Sequence, residues 1–171
     1  MSKIFSAGKN LYWSAEFADL VAALKSSGPG AKQRRAPIYK FNTGIIVLAG
    51  VIGFSESRTR EVGSERQEIS LDTLESHELA STNLASYVLL VPVLATGDLS
   101  LLRKEREDEL LRIFERYANG GLSHLEQKFN NSGKDVVFPL LSEEVNKALR
   151  ATPLEIALAE LKISQGAGAL T

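Results

Sequence analysis

The sequence predicts a mainly α protein: a compact helical bundle with at most a short strand or hairpin, plus a C-terminal helical pair. Three observations carry that prediction. Between residues 98 and 129, Leu110, Ile113, Phe114 and Tyr117, and then Leu122, Leu125 and Phe129, recur three and four apart, which gathers them on one helical face. Two apolar runs of helix length, residues 44–54 and 84–95, each follow a residue able to cap a helix. Thr152-Pro153-Leu154-Glu155 sets a capping threonine, a proline at the first helical position and a glutamate three after the cap, the combination that starts a helix.

The chain has 171 residues, 44% of them hydrophobic and 24% charged, enough for one domain with a core and a solvated surface. Residues 1–133 are expected to form the helical core, and residues 134–171 a C-terminal appendage ending in a disordered tail at 165–171. There is no cysteine, so disulfides, thiolate metal sites and cysteine nucleophiles are excluded. Neither apolar run approaches the roughly 20 residues of a membrane-spanning helix, and the N-terminus lacks an apolar stretch of signal-peptide length. A cytoplasmic protein is expected.

Taken in order, Ser14 is expected to cap a helix over 15–26, with Phe17, Leu20, Val21 and Leu24 as its apolar stripe and Tyr12 and Trp13 packed back on it as a staple. Residues 26–37 read as a Gly/Pro loop. Thr43 is expected to cap the 44–54 helix, whose Gly44, Gly50 and Gly53 weaken it by roughly 1 kcal/mol each, so burial and close packing must hold it. Its β-branched residues leave a buried strand as the alternative. Ile69 and Leu71 alternate in a short strand, and Thr82 or Asn83 caps 84–95, where Pro92 should kink or divide the helix. Asp98 caps the next segment, and Asn119-Gly120-Gly121 is expected to hinge two helices of an αα-hairpin, since glycine and asparagine accept the left-handed backbone that ends a helix. In the charged run 103–109, Arg103 with Glu107 and Lys104 with Asp108 have helical pairing distance. Residues 130–134 read as a turn.

Chemistry-bearing motifs are scarce. The sequence has no phosphate-binding glycine loop, no zinc spacing and no Gly-x-Ser-x-Gly turn. Its two histidines, His77 and His124, read as a loop and a helix-flank residue; a hydrolase using either is the remote reading, without a substrate to suggest. Glu105 and Glu109 share a helical face, but interleaved Lys and Arg compete for them, so no metal and no cofactor are expected. The chain is read as a non-enzyme.

Charge is unevenly placed. Residues 1–66 hold ten Lys/Arg against five Asp/Glu, a net of +5, and residues 67–171 hold ten against sixteen, a net of −6. A basic half can meet phosphate or an acidic partner, or the halves can attract each other within the fold or across a dimer. Lys32, Arg34 and Arg35 in one loop and Arg58, Arg60 and Arg66 in the next bracket the 44–54 helix, and form one patch if the loops share a side. Glu56, Glu61 and Glu65 interleave and dilute the field.

Residues 41–55 read FNTGIIVLAGVIGFS, and residues 95–125 hold ATGD and then LRIFERYANGGLSHL. Together they resemble the small bacterial family DNA phosphorothioation-associated protein 4, named for its occurrence beside the Dnd cassette, which replaces a phosphate oxygen of DNA with sulfur and restricts unmodified DNA. The first stretch is similar to the family's aromatic, small polar residue and apolar helix ending in Leu/Ile-Gly-Phe; the second is similar to its Phe-Glu-x-Tyr-Ala-Asn-Gly-Gly-Leu run. The resemblance covers about half of the chain and brings no catalytic motif. It implies an accessory role in DNA modification or antiviral defence, with DNA or a Dnd-system protein as partner. From their place in the two basic loops, Lys32, Arg34, Arg35, Arg58, Arg60 and Arg66 are the expected phosphate contacts. The alternative is a homodimeric interaction module with no nucleic-acid binding, joined through the glycine-bearing helix or the C-terminal pair.

Overall fold

A computed structural model of the chain describes residues 4–25, 42–76, 78–79 and 82–132. It is mainly helical, as expected, but its longest element is not the hairpin. Residues Glu107–Ser132 form one 26-residue helix that runs through Asn119, Gly120 and Gly121 without a break; in chain order it is α5, and it spans about 39 Å. The hinge is corrected accordingly, as is the turn at 130–132, which is helical. Two mid-helix glycines cost roughly 1 kcal/mol each. Contact with a second helix offsets that cost.

That helix is α2, Asn42–Ser55, a helix and not the alternative strand, buried on most sides at Ile45, Ile46, Val47, Ala49 and Ile52. Its Gly50 faces Phe114, whose ring carbons would lie 2.6 Å from a Cβ there. A Cβ on Gly53 would run into the carbonyl oxygen of Tyr117, and one on Gly121 into that of Ala49. The two helices therefore touch backbone to backbone, as small residues spaced four apart permit. The glycine-bearing surface is used inside the chain, which removes it as a dimer face.

A second face of α5 holds the N-terminal segment. Strand β1, Asn10–Ser14, pairs antiparallel with β2, Arg66–Ser70, setting Leu11 opposite Ile69 and Trp13 opposite Gln67. Tyr12 and Trp13 are thus strand residues and not a staple, and Trp13 lies in the core. The free edge of such a strand would leave amides unpaired. Here α5 supplies the acceptors: the Tyr12 N–H donates to Glu115 at 2.8 Å and the Ser14 N–H to Asn119 Oδ1 at 2.9 Å. Glu107 accepts the Ser6 amide at 2.8 Å and its hydroxyl at 2.5 Å. Spaced by multiples of four, Glu107, Glu115 and Asn119 share one helical face, and all three are buried. Ser14 does not cap: its hydroxyl accepts from the Gly63 N–H at 2.8 Å, and a 3-10 turn, Ala15–Phe17, leads into α1, Ala18–Lys25.

Beyond β2 come α3, Leu71–Ser76, the small pair β3, Glu78–Leu79, and β4, Thr82–Asn83, and then α4, Leu84–Thr96. Pro92 lies inside α4 without dividing it. Gly97, at φ +69°, turns the chain to Asp98, which caps a 3-10 turn, Leu99–Leu102, by accepting the Ser100 N–H at 2.9 Å. Hydrogen bonds from Ser100 and then Arg106 hold the Asp98 carboxyl down to about 2. The helix starts only at Glu107, after a further 3-10 turn, Lys104–Arg106, so the pairs expected in the charged run are replaced. Arg106 bridges Asp98 at 2.6 Å and Glu109 at 2.7 Å, Asp108 pairs with Lys9, and Glu107 turns inward to Ser6.

The 26–37 loop, His77, and the 134–171 appendage with its boundary at 133 lie outside the described residues. No helix among the described residues is long and apolar enough to cross a membrane.

Alanine at Gly53 or Gly121 gains about 1 kcal/mol of helix propensity but must force the helices apart. We expect each substitution to lower unfolding free energy by about 3 kcal/mol, read from denaturant midpoints. Unchanged or raised stability contradicts the close contact.

Candidate nucleic-acid interface

Of the six basic residues predicted to meet phosphate, Lys32, Arg34 and Arg35 lie outside the described residues. Arg58, Arg60 and Arg66 leave α2 on a segment laid across α5. The Arg58 N–H donates to the Gly53 carbonyl at 2.8 Å, the Arg60 N–H to the Arg116 carbonyl at 2.9 Å, and the Ala15 N–H to the Glu65 carbonyl at 2.9 Å. Gly120 makes the crossing possible, since a Cβ there would collide with the Arg58 carbonyl. The segment is irregular in backbone yet fixed at both ends and in the middle.

Its arginines do not form one patch. Arg58 reaches Gln127 at 3.0 Å, and Gln127 lies eleven residues beyond Arg116 on α5, about 16 Å along the helix. Arg60 bonds Glu16 at 2.9 Å and lies over the Phe17 ring at 5.3 Å, while Arg66 stacks on Tyr12 at 4.2 Å. Sequence reasoning missed two further arginines, Arg112 and Arg116 of α5, beside this segment: the Arg116 carbonyl accepts the Arg60 N–H, and the Arg116 side chain bonds Glu61. Their spacing of four on the organising helix was the available signal; it was passed over because charged residues on an amphipathic helix ordinarily face water.

Arg112 and Arg116 line an open cleft of about 530 Å³ together with Glu61, Val62, Glu109, Ile113 and Glu115. Arg116 Nε bonds Glu61 at 2.8 Å, so the expected dilution by glutamates is present. Exposed pairs of this kind contribute about 0–1 kcal/mol each, and a phosphate can displace Glu61 at little cost. The Arg112 side chain is exposed and, among the described residues, makes no hydrogen bond or ion pair, though its charge helps to lower the Asp108 and Glu115 carboxyls.

The unusual group in the cleft is Glu115. Burial raises its carboxyl to about 7, against the lowering effect of the Tyr12 N–H and, more weakly, of Arg66 and Arg112. Near neutral pH it is roughly half protonated, and the cleft becomes more positive as pH falls. This arrangement can bind an anion. Among the described residues no group of three or more metal-ligating side chains is placed to hold a metal ion. His124 is buried in α5, not on its flank as expected.

The comparisons with known proteins agree with the sequence resemblance and extend it. A family model described as DNA sulphur modification system-associated protein 4 matches residues 12–157. No curated protein and no solved structure matches the chain.

Because the folded carboxyl of Glu115 titrates near 7 and an unfolded one near 4.5, its favourable contribution is complete below pH 4.5 and is lost as pH rises through 7. The slope is at most about 1.4 kcal/mol per pH unit. Glu115→Gln keeps an acceptor for Tyr12 without a charge, so wild-type stability should fall relative to the variant between pH 4.5 and 7.5, measured by denaturation at each pH. A constant difference between the two would contradict the assignment.

Proposed function

The chain belongs to the DNA sulphur modification system-associated protein 4 family, and from that premise we propose that it is a non-enzymatic accessory component of a DNA phosphorothioation modification and restriction defence, working in the cytoplasm on duplex DNA. The observation that carries the DNA reading is the pair Arg112 and Arg116 on one open cleft of α5, beside a segment whose Arg60 is joined to Arg116 through the backbone. Guanidinium groups brought together in this way suit the phosphate backbone, to which arginine donates in a planar fork.

Such contacts position a protein on DNA and carry no sequence information. The open form of the cleft and the exposure of its arginines favour a passing backbone over an enclosed small molecule. Arg58, farther along α5 beside Gln127, extends the same track, and Lys32, Arg34 and Arg35 remain proposed contacts from the preceding loop. Other proteins of the modification system are proposed as partners on the remaining surface.

The test is fluorescence anisotropy with matched duplexes, one phosphorothioated and one not, over a salt series. Four to eight phosphate contacts predict a slope of log affinity against log salt of about −4 to −7. Arg112→Ala and Arg116→Ala should each weaken binding to all duplexes and flatten the slope by about one, and lowering pH from 8 to 6 should tighten it. A salt-independent response, or arginine variants that bind as the wild type does, overturns the reading; a preference for one duplex adds recognition of the sulfur.

A further inference from the structure

Apart from the arginine cleft, the described surface has one concentration of exposed apolar side chains. The large apolar residues that face solvent, Ile4, Tyr87, Leu90, Leu99 and Leu102, all lie on the N-terminal segment, on α4 or on the turn after it, with Leu99 72% and Leu102 52% exposed. Two of them, Ile4 and Leu102, line a cleft of about 170 Å³ together with Leu89, Leu101, Arg103 and Lys104. Its volume is below the ~300 Å³ at which small-molecule sites begin and near the ~150 Å³ that accepts a benzene-sized group. It has room for one large side chain.

The sequence carries a second apolar face. In the stretch 153–161, whose start signal is read above, Leu154, Ala157, Leu158 and Leu161 fall on one side of a helix, with Glu155 and Glu160 as its only charges. An amphipathic helix of this length gains its stability from packing. We propose that the 153–161 stretch docks on the face formed by Ile4, α4 and the Leu99–Leu102 turn of its own chain, with Leu158 in the cleft and Glu155 and Glu160 towards Arg103 and Lys104.

Charge and reach both favour this occupant. The stretch offers carboxylates where the cleft offers an arginine and a lysine. The cleft also includes Glu107 and Leu110, the first turn of α5, whereas the described part of α5 ends at Ser132. The twenty residues 133–152 extend to about 66 Å, more than the ~39 Å length of α5. A tether that spans the distance holds the helix at high effective concentration. The family match continues through this connection to residue 157. The inference is independent of DNA binding.

The chain's lack of cysteine makes cross-linking a clean test. Leu102→Cys and Leu158→Cys are introduced together in the full chain and oxidised at low protein concentration, beside a control pair of Asp19→Cys with Leu158→Cys. The expected result is an intrachain disulfide in the first pair alone. Interchain dimers assign the face to a second copy and overturn the proposal, as does equal or absent cross-linking in both pairs. Hydrogen exchange on the cysteine-free chain supplies the second measurement: Leu158→Asp should speed exchange of α4 and the Leu99–Leu102 turn by roughly tenfold or more, and an unchanged rate overturns the docking.

Discussion

The structure depends on one steric condition, that α2 and α5 meet with nothing but hydrogen between their backbones. Gly53 lies on the Tyr117 carbonyl and Gly121 on the Ala49 carbonyl, while Gly50 makes room for the Phe114 ring. Close approach brings the large side chains on either side, Ile45, Ile46, Ile52, Leu110, Leu122 and Leu125, into full burial. Each buried apolar side chain of this size contributes about 1.5–3 kcal/mol, against roughly 1 kcal/mol lost per helical glycine. The balance favours keeping glycine at the crossing and extending α5 through it.

Once α5 is held in this way, its other faces become templates. The face bearing Glu107, Glu115 and Asn119 takes the amides of Ser6, Tyr12 and Ser14, so the helix does for the edge of β1 what another strand would do. A carboxylate used as a strand partner must be buried, which is why Glu115 titrates near neutrality. The adjoining face receives the 58–66 segment across Gly120 and sets Glu61 and Val62 beside Arg112 and Arg116. Fold and candidate site share these residues: Glu115 belongs to both.

The sequence conveyed the local parts of this arrangement and misjudged the competition between them. The helices at 42–55 and 84–96, the strand around Ile69 and the capping role of Asp98 follow from periodicity, length and local hydrogen bonding. At Asn119-Gly120-Gly121, local glycine chemistry argued for a stop while the stripe Phe114, Ala118, Leu122, Leu125 and Phe129 continued unbroken in steps of four and three; the periodicity reported the packing and was the better guide. Strand β1 was missed because its partner is some 56 residues away and its acceptors are on α5, about a hundred residues away. The alternation of buried Leu11 and Trp13 with half-buried Asn10 and Tyr12 was its only local trace. Arg58, Arg60 and Arg66 could be named from sequence, but Arg112 and Arg116 could not be joined to them without knowing which face of α5 the segment crosses.

The central claim is that a glycine-permitted crossing on α5 builds the arginine cleft, and Gly120 tests it most directly because its missing Cβ accommodates the 58–66 segment and not α2. In Gly120→Ala, exchange of the Arg60 amide and affinity for duplex DNA would be measured on the same sample. The account predicts that the α2–α5 core stays protected while the Arg60 amide, released from the Arg116 carbonyl, exchanges freely and DNA affinity falls. A freed Arg60 amide with wild-type affinity for DNA would contradict it.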